Sequence, residues 1–329
     1  MADRGCVPRE ISTFDPVADA WFLTGPTASG KTGVGLELAA RLGAEIISLD
    51  SMAVYRGMDL GTAKPTLDQR SRVPHHLIDL VTPDQEYSLS QYVAAAHEAL
   101  AEIRARGRSV IFVGGTPLYL KALLRGVYPG PPADWDFRRQ IEEELRHVDI
   151  RQLHERLRLV DPLSAARLHP NDKRRIIRAL EVYRWTGKPL SHEQTQFEEP
   201  RPDRGCKVVA LAMPREELHR RIEERVEQMF AAGWVEEVRH LLARYGSLGR
   251  TAAQAVGYRE VIEHVRGERD LTATVGRVKI RTRQFARRQD TWFRSLGECR
   301  RFQPPAGAQA GDVAEKILGL LSSSPSPNT

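Results

Sequence analysis

The sequence predicts an α/β fold in which a parallel sheet carries an anion-binding loop and is interrupted by a small all-helical domain. Three observations lead to this prediction. A glycine-rich loop follows a short apolar segment near the start, strand and helix patterns alternate over the first third, and a charged helical stretch precedes a later strand. Such alternation is typical of a parallel sheet with helices packed on both faces.

The first element is an apolar segment at 21–23, followed by the loop Gly25-Pro26-Thr27-Ala28-Ser29-Gly30-Lys31-Thr32 and a helical pattern over 34–42. Strand, glycine loop, lysine, hydroxyl and helix form the context that a phosphate-binding loop requires, although a plain glycine turn before a helix is the alternative. Backbone N–H groups would hold anionic oxygens, Lys31 would add charge, and the Thr32 hydroxyl would bind Mg²⁺. We therefore expect a P-loop NTPase-like core whose ligand carries a diphosphate or triphosphate.

Two further strands are predicted at 45–49 and 110–113, and a helix over 90–106 begins after Ser88. Asp50 follows the first of these strands, at the edge of the sheet where α/β proteins bind ligands. A carboxylate there could position Mg²⁺ or accept a proton, or it could simply cap the following segment. The strand at 110–113 ends in two glycines, whereas ATPases of this loop class usually have a carboxylate after a later strand.

The chain then changes character at a linker, Gly130-Pro131-Pro132. A charged helical stretch without a convincing strand follows, a strand returns at 207–212, and a long helix ends near Gly233. We expect a flexible leader over 1–17, a P-loop α/β core with C-terminal helices over 18–132 and 200–320, a helical insertion over 133–199, and a disordered tail over 321–329. The alternative is one α/β domain with a helical C-terminal half.

Bulk composition limits the function classes. The chain has 329 residues, is 41% hydrophobic and carries a formal charge of +6, which allows a folded core and suits an anionic partner. Its 3 cysteines are far apart and indicate free thiols in the cytoplasm, and no apolar run reaches membrane-spanning length. The adjacent histidines at 75–76 are poorly placed to share a metal, because neighbours in a strand point to opposite faces.

Basic residues cluster near the C-terminus and in the presumed insertion. Between residues 277 and 294 the chain has seven arginines and lysines that matter here, with aromatic residues between them: Arg277, Lys279, Arg281, Arg283, Arg287, Arg288 and Arg294, with Phe285, Trp292 and Phe293. A second group, Lys173, Arg174, Arg175 and Arg178, lies within the insertion. Such clusters favour nucleic-acid binding, although a solvated helix face is the ordinary alternative.

These motifs together resemble the tRNA dimethylallyltransferase family, also called tRNA isopentenyltransferases or IPP transferases. The resemblance extends from about residue 22 to 302 and is carried by several segments in order: 25–32, 50–65, 74–79, Gly114-Gly115-Thr116, 178–182, Val256-Gly257-Tyr258-Arg259 and 283–292. It implies transfer of a dimethylallyl group from dimethylallyl diphosphate to the exocyclic N6 amine of adenosine at position 37 of tRNA, with release of diphosphate. The implied partners are the tRNA anticodon stem-loop and dimethylallyl diphosphate, the cofactor is Mg²⁺, and the enzyme is a cytoplasmic monomer without a zinc finger.

The resemblance also implies site residues. Catalytic roles fall to Asp50 as general base and to Lys31, Thr32 and Arg221 at the diphosphate, which binds along 25–32 with Thr32 also holding Mg²⁺. The implied tRNA contacts are Asp50, Ser51, Met52, Ala53, Thr116, Arg138, Arg174, Arg175, Ile176, Ile177, Arg178, Gln254, Gly257, Tyr258, Arg259, Arg287, Arg288, Gln289, Trp292 and Arg294. Arg225, one turn beyond Arg221, receives no role, because an arginine beside an apolar stripe can equally lie at the surface.

One departure and three alternatives remain at this point. Ala53 stands where the family commonly has glutamine, so a hydrogen bond to the target base is expected to be missing. The core motifs would also suit an adenylate isopentenyltransferase, which needs no large basic surface. An ATP-dependent small-molecule kinase would use the same loop and Asp50, and a tRNA-binding module without catalysis would need neither.

Overall fold

A computed structural model describes residues 14–194 and 205–322. Those residues form two compact units, one of 17–124 and 205–322 and the other of 14–16 and 125–194. Most of the expected leader, all but two residues of the expected tail, and Cys6 lie outside the described residues. Cys206 and Cys299 form no disulfide among the described residues. In the part of the chain that is described, no helix is both long and apolar enough to cross a membrane.

The larger unit is built on one parallel sheet of six strands in the order β3-β2-β4-β1-β5-β6. The α/β prediction is confirmed. The central strands are apolar and buried on both faces, as expected when helices cover both sides of a sheet. Two short edge strands, β3 and β6, lack such a pattern and were not predicted. The strands are β1 (Trp21–Thr24), β2 (Ala44–Ser48), β3 (His75–His76), β4 (Ser109–Val113), β5 (Lys207–Leu211) and β6 (Arg300–Phe302).

The helices of this unit begin and end at local signals. The first starts after Gly30 and ends at Gly43, which takes the left-handed conformation and donates its N–H to the last carbonyls. The third begins with a capping box between Ser88 and Gln91. The helices are α1 (Lys31–Leu42), α2 (Leu67–Arg72), α3 (Leu89–Ala105), α4 (Pro117–Arg125), α10 (Arg215–Ala231), α11 (Trp234–Tyr245), α12 (Tyr258–Val265), α13 (Leu271–Ser295) and α14 (Ala310–Ser322).

The smaller unit contains five helices among its described residues, with loops and one antiparallel bridge between Phe14 and Val127. It has its own apolar core, which includes Ile141, Leu157 and Ile176. It begins at residue 125, whereas the sequence analysis placed the start of the insertion at 133. The earlier residues belong here because Val127 is buried and its carbonyl accepts a hydrogen bond from the Phe14 N–H at 3.0 Å. The helices are α5 (Trp135–Glu144), α6 (Ile150–Val160), α7 (Pro162–Arg167), α8 (Lys173–Thr186) and α9 (Leu190–Glu193).

A buried carboxylate organises one face of this unit. Glu181 is 0% exposed and accepts hydrogen bonds from Arg138 Nε at 2.7 Å, from Arg178 Nη1 at 2.6 Å and from the Asp134 N–H at 2.8 Å. Burial acts to raise the pKa of Glu181, but the hydrogen bonds from the two arginines outweigh it and hold the pKa below its ordinary value. Glu181 therefore fixes the orientation of both guanidinium groups.

The carboxyl ends of β2 and β4 approach closely at Gly114. The Leu49 N–H donates to the Val113 carbonyl at 2.9 Å, and a Cβ added at Gly114 would lie only 2.2 Å from the Leu49 carbonyl oxygen. Since this contact is with backbone, it cannot be relieved by turning a side chain. The glycine thus sets the spacing of the strand ends, directly before Asp50.

We predict that Gly114→Ala destabilises the protein by about 1–3 kcal/mol, because the added methyl forces the two strand ends apart. Gly276→Ala is the matched control, since Gly276 lies inside α13 with nothing within 4 Å of its added Cβ. That change is expected to be neutral or to stabilise by up to about 1 kcal/mol. Thermal and urea unfolding of both variants measure the difference, and equal stabilities would contradict the close approach.

Candidate functional site

The carboxyl ends of β1, β2 and β4 and the N-terminus of α1 open into a cavity of about 570 Å³. This is a volume suited to a small organic ligand. Polar groups line one part of it: Thr27, Lys31, Thr32, Asp50, Thr116, Arg221, Arg225 and Gln289. Apolar side chains line another part: Ile78, Ile222, Val226, Met229, Trp234, Val278 and Phe285. The cavity can therefore take a ligand with one charged and one apolar end.

The loop before α1 is shaped to bind an anion. Its backbone alternates in handedness, with Ala28 at φ +64° and Gly30 at φ +90°, and such alternation turns successive N–H groups toward one point. The Ser29 hydroxyl is buried and has no hydrogen-bond partner among the described residues. Gly25 has no room for a side chain, because an added Cβ would lie 2.7 Å from the Leu211 carbonyl oxygen. The Ser29 hydroxyl is thus a buried donor of this loop that no described residue accepts, whereas the Ser29 N–H donates to the Pro26 carbonyl at 3.3 Å.

Lys31 is half-buried and lines the cavity. Its Nζ donates a hydrogen bond to the Pro26 carbonyl at 2.6 Å. Desolvation and the charge of Arg225 lower the pKa of Lys31 from 10.5 to about 7, against the opposing effect of Asp50. An anionic ligand would reverse this balance and favour the charged ammonium.

Two arginines of α10 reach this part of the cavity. Arg221 pairs with Glu217, with Nε 2.7 Å from Oε1, and its Nη1 would be 3.9 Å from a Cβ added at Gly30. Arg225 lies deeper, and its Nη1 is 3.4 Å from the Thr27 hydroxyl. Desolvation lowers the pKa of Arg225, while the charge of Asp50 raises it.

Arg225 is a cavity arginine that was not predicted from the sequence. A role was predicted for Arg221 alone, whereas the structure brings both Arg221 and Arg225 to the cavity. The available signal was the position of Arg225 between the buried residues Ile222 and Val226, on the same side of α10 as Arg221.

Asp50 sits where the sequence predicted, directly beyond β2. Its Oδ1 accepts a hydrogen bond from the Met52 N–H at 2.8 Å, so it does cap the following segment. Its Oδ2 has no hydrogen-bond partner among the described residues. The capping bond fixes the carboxylate and leaves one oxygen directed to a ligand, so the structural and functional interpretations of Asp50 are compatible.

The segment after Asp50 is held from two sides. The Thr116 hydroxyl accepts a hydrogen bond from the Ser51 N–H at 3.0 Å, and the carbonyl of the buried Ala53 accepts one from the Asp79 N–H at 3.1 Å. Met52 and Ala53 line the cavity with Ser51. The predicted target-base segment and Thr116 are thereby brought to the cavity together.

The buried ammonium of Lys64, for which no role was predicted, holds together the segments beside this part of the cavity. Lys64 has a side chain 1% exposed and donates to the Tyr55 carbonyl at 2.7 Å, to Asp59 at 2.5 Å and to Asp79 at 2.7 Å. Arg70 pairs with the other oxygen of Asp79 at 2.8 Å. Lys64 lies within the family segment 50–65, but only the fold brings its partners together.

The expected tRNA residues of α13 fall into two classes. Arg287 and Arg288 are exposed, and Arg294 is exposed but pairs with Asp290 at 2.6 Å. Gln289 is buried at 4% exposure and both ends of its amide are engaged. Its Oε1 accepts from the Thr27 N–H at 2.9 Å, and its Nε2 donates to the Gly115 carbonyl at 2.6 Å. Trp292 is half-buried on the next turn.

The segment before α12 reaches the cavity through Gln254, which lies in a short 3₁₀ turn. Gly257 begins α12 at φ +90°, and a Cβ there would lie 2.3 Å from the Trp234 ring. Tyr258 is fully buried, with its hydroxyl donating to Glu237 at 2.6 Å, and Arg259 is exposed beside Glu263. Of these residues only Gln254 and Arg259 present side chains to a ligand.

The expected tRNA residues of the helical unit also differ in exposure. Arg174 and Arg175 are exposed at the start of α8, and Arg138 and Arg178 are held by Glu181. The side chains of Ile176 and Ile177 lie in the apolar core, so a nucleic acid could meet only their backbone.

The adjacent histidines of β3 make hydrogen bonds at the edge of the sheet. His76 Nε2 lies 2.7 Å from Glu45 Oε2, and His75 Nδ1 lies 2.7 Å from the Val73 carbonyl. Across 14–194 and 205–322, no group of three or more His, Cys, Asp or Glu residues could hold a metal ion.

Comparison with known proteins decides the family. The family model described as "IPP transferase" matches residues 53–296. The chain belongs to the IPP transferase family. The resemblance read from the sequence is thus confirmed. The family match covers α10, α13 and the part of the cavity lining from residue 53 onward, and it begins after the phosphate-binding loop and Asp50.

Curated relatives within the IPP transferase family span most of the chain. A tRNA dimethylallyltransferase of Rhodopirellula baltica is 52% identical over 311 residues, covering 92% of this chain and 93% of the relative. One of Syntrophobacter fumaroxidans is 49% identical over 282 residues, covering 85% and 82%. These relatives favour the tRNA-modifying enzyme over the nucleotide-modifying and kinase alternatives.

Solved IPP transferase structures agree with the fold. The full-length tRNA isopentenylpyrophosphate transferase of Bacillus halodurans is 35% identical with a TM-score of 0.66, covering 93% of this chain and 97% of the other. A eukaryotic dimethylallyltransferase acting on tRNA is 26% identical with a TM-score of 0.78, covering 95% and 81%. The P-loop-like core and its helices are therefore a fold already seen in this family.

We predict that Lys31→Met abolishes diphosphate binding and raises the melting temperature by a few degrees near pH 6. Because the pKa of Lys31 is lowered to about 7 on folding, the folded protein holds this proton less tightly than the unfolded chain. The stability cost of this pKa shift to the wild-type protein has its full size below about pH 7 and becomes smaller as the pH rises toward 10.5. The gain from Lys31→Met should therefore be smaller at about pH 9 than at pH 6.

Thermal unfolding at the two pH values measures this gain. Lys316→Met removes an exposed lysine of α14 and serves as the control, with no pH-dependent difference expected. A gain from Lys31→Met that stays constant across the pH range would show that Lys31 is not desolvated.

Proposed function

We propose that this protein transfers a dimethylallyl group from dimethylallyl diphosphate to the N6 amine of adenosine at position 37 of tRNA, releasing diphosphate. The observation that carries the proposal is the single cavity in which an anion-binding loop, two arginines, an apolar wall and Asp50 meet. An allylic diphosphate has the matching parts, a charged end and a short apolar chain. The curated relatives named tRNA dimethylallyltransferase support the same reaction.

The diphosphate end belongs at the loop over residues 25–32. Loop N–H groups and the Ser29 hydroxyl supply donors, and Lys31 with Arg221 and Arg225 supplies charge. Negative charge grows on the diphosphate as its bond to the allylic carbon breaks. Fixed donors and cations therefore stabilise the transition state more than the bound donor.

The amine end belongs at Asp50. The N6 nitrogen forms a bond to the allylic carbon as the carbon–oxygen bond to diphosphate breaks, and the nitrogen loses one proton. The open Oδ2 of Asp50 is the acceptor for that proton, while Oδ1 stays bound to the Met52 N–H. An aromatic amine is a weak nucleophile, so removal of its proton in the transition state is worth roughly 10²–10⁴ in rate.

A magnesium ion fits this site with few protein ligands. Mg²⁺ prefers one or two protein oxygens with phosphate oxygens and water, and the Thr32 hydroxyl at the start of α1 faces the cavity beside the loop. When bound, the ion would neutralise charge on the diphosphate. Lys31 and the arginines contribute the same kind of charge from the protein itself.

The tRNA is proposed to bind to exposed basic residues. Arg287 and Arg288 on α13, Arg259 at α12 and Arg174 on α8 present guanidinium groups to solvent. A base in an anticodon loop must leave its stack to reach a cavity, and phosphate contacts on the flanking nucleotides hold it there. We further propose a monomer acting in the cytoplasm, where Cys206 and Cys299 would stay reduced.

The direct test is nucleoside analysis of tRNA by mass spectrometry. Unmodified tRNA is incubated with the protein, Mg²⁺ and either dimethylallyl diphosphate or ATP. We expect N6-dimethylallyladenosine at position 37 with the first donor and no product with ATP. Prenylation of free AMP but not of tRNA, or phosphate transfer from ATP, would refute the proposal.

We predict that Asp50→Asn lowers turnover at least ~100-fold while tRNA binding stays near normal. Asparagine keeps an oxygen for the Met52 N–H but cannot accept the amine proton. Single-turnover kinetics at saturating donor measure the effect, and filter binding reports tRNA affinity. Asp68→Asn, at an exposed carboxylate of α2, should leave both unchanged, and near-normal turnover of Asp50→Asn would remove it as the base.

We predict that tRNA affinity falls steeply with salt and that Arg287→Gln with Arg288→Gln makes the dependence shallower. Each lost phosphate contact reduces the slope of log K against log salt by roughly 0.7–0.9. Filter binding over a salt series measures the slope. Arg239→Gln, at an exposed arginine paired with Glu236, is the control and should keep the wild-type slope. An unchanged slope in the double variant would place the tRNA elsewhere.

A further inference from the structure

Gln289 is placed to connect α13 with the phosphate-binding loop. Its side chain reaches between the loops after β1 and β4, accepting from the Thr27 N–H and donating to the Gly115 carbonyl. The fit is tight, since a Cβ added at Gly115 would lie 2.6 Å from Gln289 Nε2 and 3.6 Å from Lys31 Nζ. The bond to the Gly115 carbonyl is buried, the bond from the Thr27 N–H is partly buried, and both join residues far apart in sequence.

Thr27 is held by two helices at once. The Gln289 amide of α13 holds its N–H, and Arg225 of α10 approaches its hydroxyl at 3.4 Å. The two helices are themselves joined by ion pairs, Arg283 with Glu223 and Lys279 with Glu227. A shift of α13 would therefore displace the loop through Thr27, and it would displace Arg225 through the ion pairs with α10.

The same helix carries exposed cations. Arg287 and Arg288 immediately precede Gln289 and point to solvent, while Ala286, Gln289 and Phe293 are buried. Neighbouring residues of a continuous helix move as one body. A polyanion bound by the exposed side of α13 would thus act on the position of Gln289.

We propose that Gln289 is a positioning residue that couples tRNA docking on α13 to diphosphate binding in the loop. The inference rests on the proposed function for the identity of the two ligands. Gln289 holds Thr27, and through it the spacing of the loop N–H groups, at the position that α13 dictates. Docking of tRNA then tightens diphosphate binding, and diphosphate tightens tRNA binding by the same factor, as linkage requires.

The test measures diphosphate affinity with and without tRNA. Inorganic diphosphate with Mg²⁺ is titrated calorimetrically into the protein alone and into its complex with unmodified tRNA, where no transfer can occur. In wild type we expect binding at least about fivefold tighter with tRNA. In Gln289→Met the ratio should fall to about one, while the variant's tRNA affinity without diphosphate stays within about threefold of wild type.

Steady-state kinetics give a second readout that general loss of stability would not reproduce. Gln289→Met should raise KM for dimethylallyl diphosphate about tenfold and lower kcat by less than about threefold. Thr274→Val is the matched control, because Thr274 is buried on the same helix and, among the described residues, its hydroxyl bonds only to the Asp270 carbonyl. It should keep the wild-type ratio and kinetics.

A wild-type ratio near one, or an undiminished ratio in Gln289→Met, overturns the proposal. If Gln289→Met does not fold, Gln289→Glu replaces it. That variant keeps an oxygen for the Thr27 N–H but sets a carboxylate against the Gly115 carbonyl, so a retained ratio again overturns the proposal. Product formation by wild type without coupling would refute this inference alone, whereas absence of modified nucleoside would refute the proposed function.

Discussion

The cavity has an excess of positive charge, and its other features follow from that imbalance. Lys31, Arg221 and Arg225 line it with Asp50 as the facing carboxylate, and Glu217 partly offsets Arg221. Cations kept from water favour whatever anion can enter. A ligand with two phosphate groups would restore the balance, and Lys31, whose Nζ donates to the Pro26 carbonyl at 2.6 Å, lies beside the loop that would hold it.

The positions of these charged groups depend on close approach between backbone segments. Gly114 brings the ends of β2 and β4 together, Gly115 leaves room for Gln289 and Lys31, and Gly25 lies against Leu211. Glycine is needed at these positions because of space as well as conformational freedom. The carboxylate, the loop and the lysine are consequently brought to one cavity by strand ends, which are among the stiffest parts of the fold.

The features that the sequence predicted correctly are those written in short contiguous patterns. The strand, loop and helix over 21–42 could be found because each signal adjoins the next, and Asp50 could be placed because it follows an apolar run. Edge strands such as β6 escaped prediction since Arg300–Phe302 has no apolar alternation. The family resemblance supplied the reaction, which periodicity and spacing alone left open between several donors.

The features that escaped prediction depend on contacts between distant parts of the chain. Arg221 and Arg225 look alike in sequence, and only the packing of α10 shows that Arg225 lies deeper. Gln289 stands within a basic segment, yet its partners are Thr27 and Gly115. Lys64 is similar, because Tyr55, Asp59 and Asp79 become its neighbours only after the chain has folded.

The carboxylate of Glu181 has a consequence for how this sequence can evolve. A buried charge that loses its partners is costly, and a guanidinium turned toward a missing carboxylate is poorly placed as well. Arg138, Arg178 and Glu181 are therefore constrained as a trio, and a viable mutational path must replace them jointly or pass through a compensating change nearby. We therefore expect these three positions to change together in evolution, since the orientation of the two guanidinium groups depends on all of them.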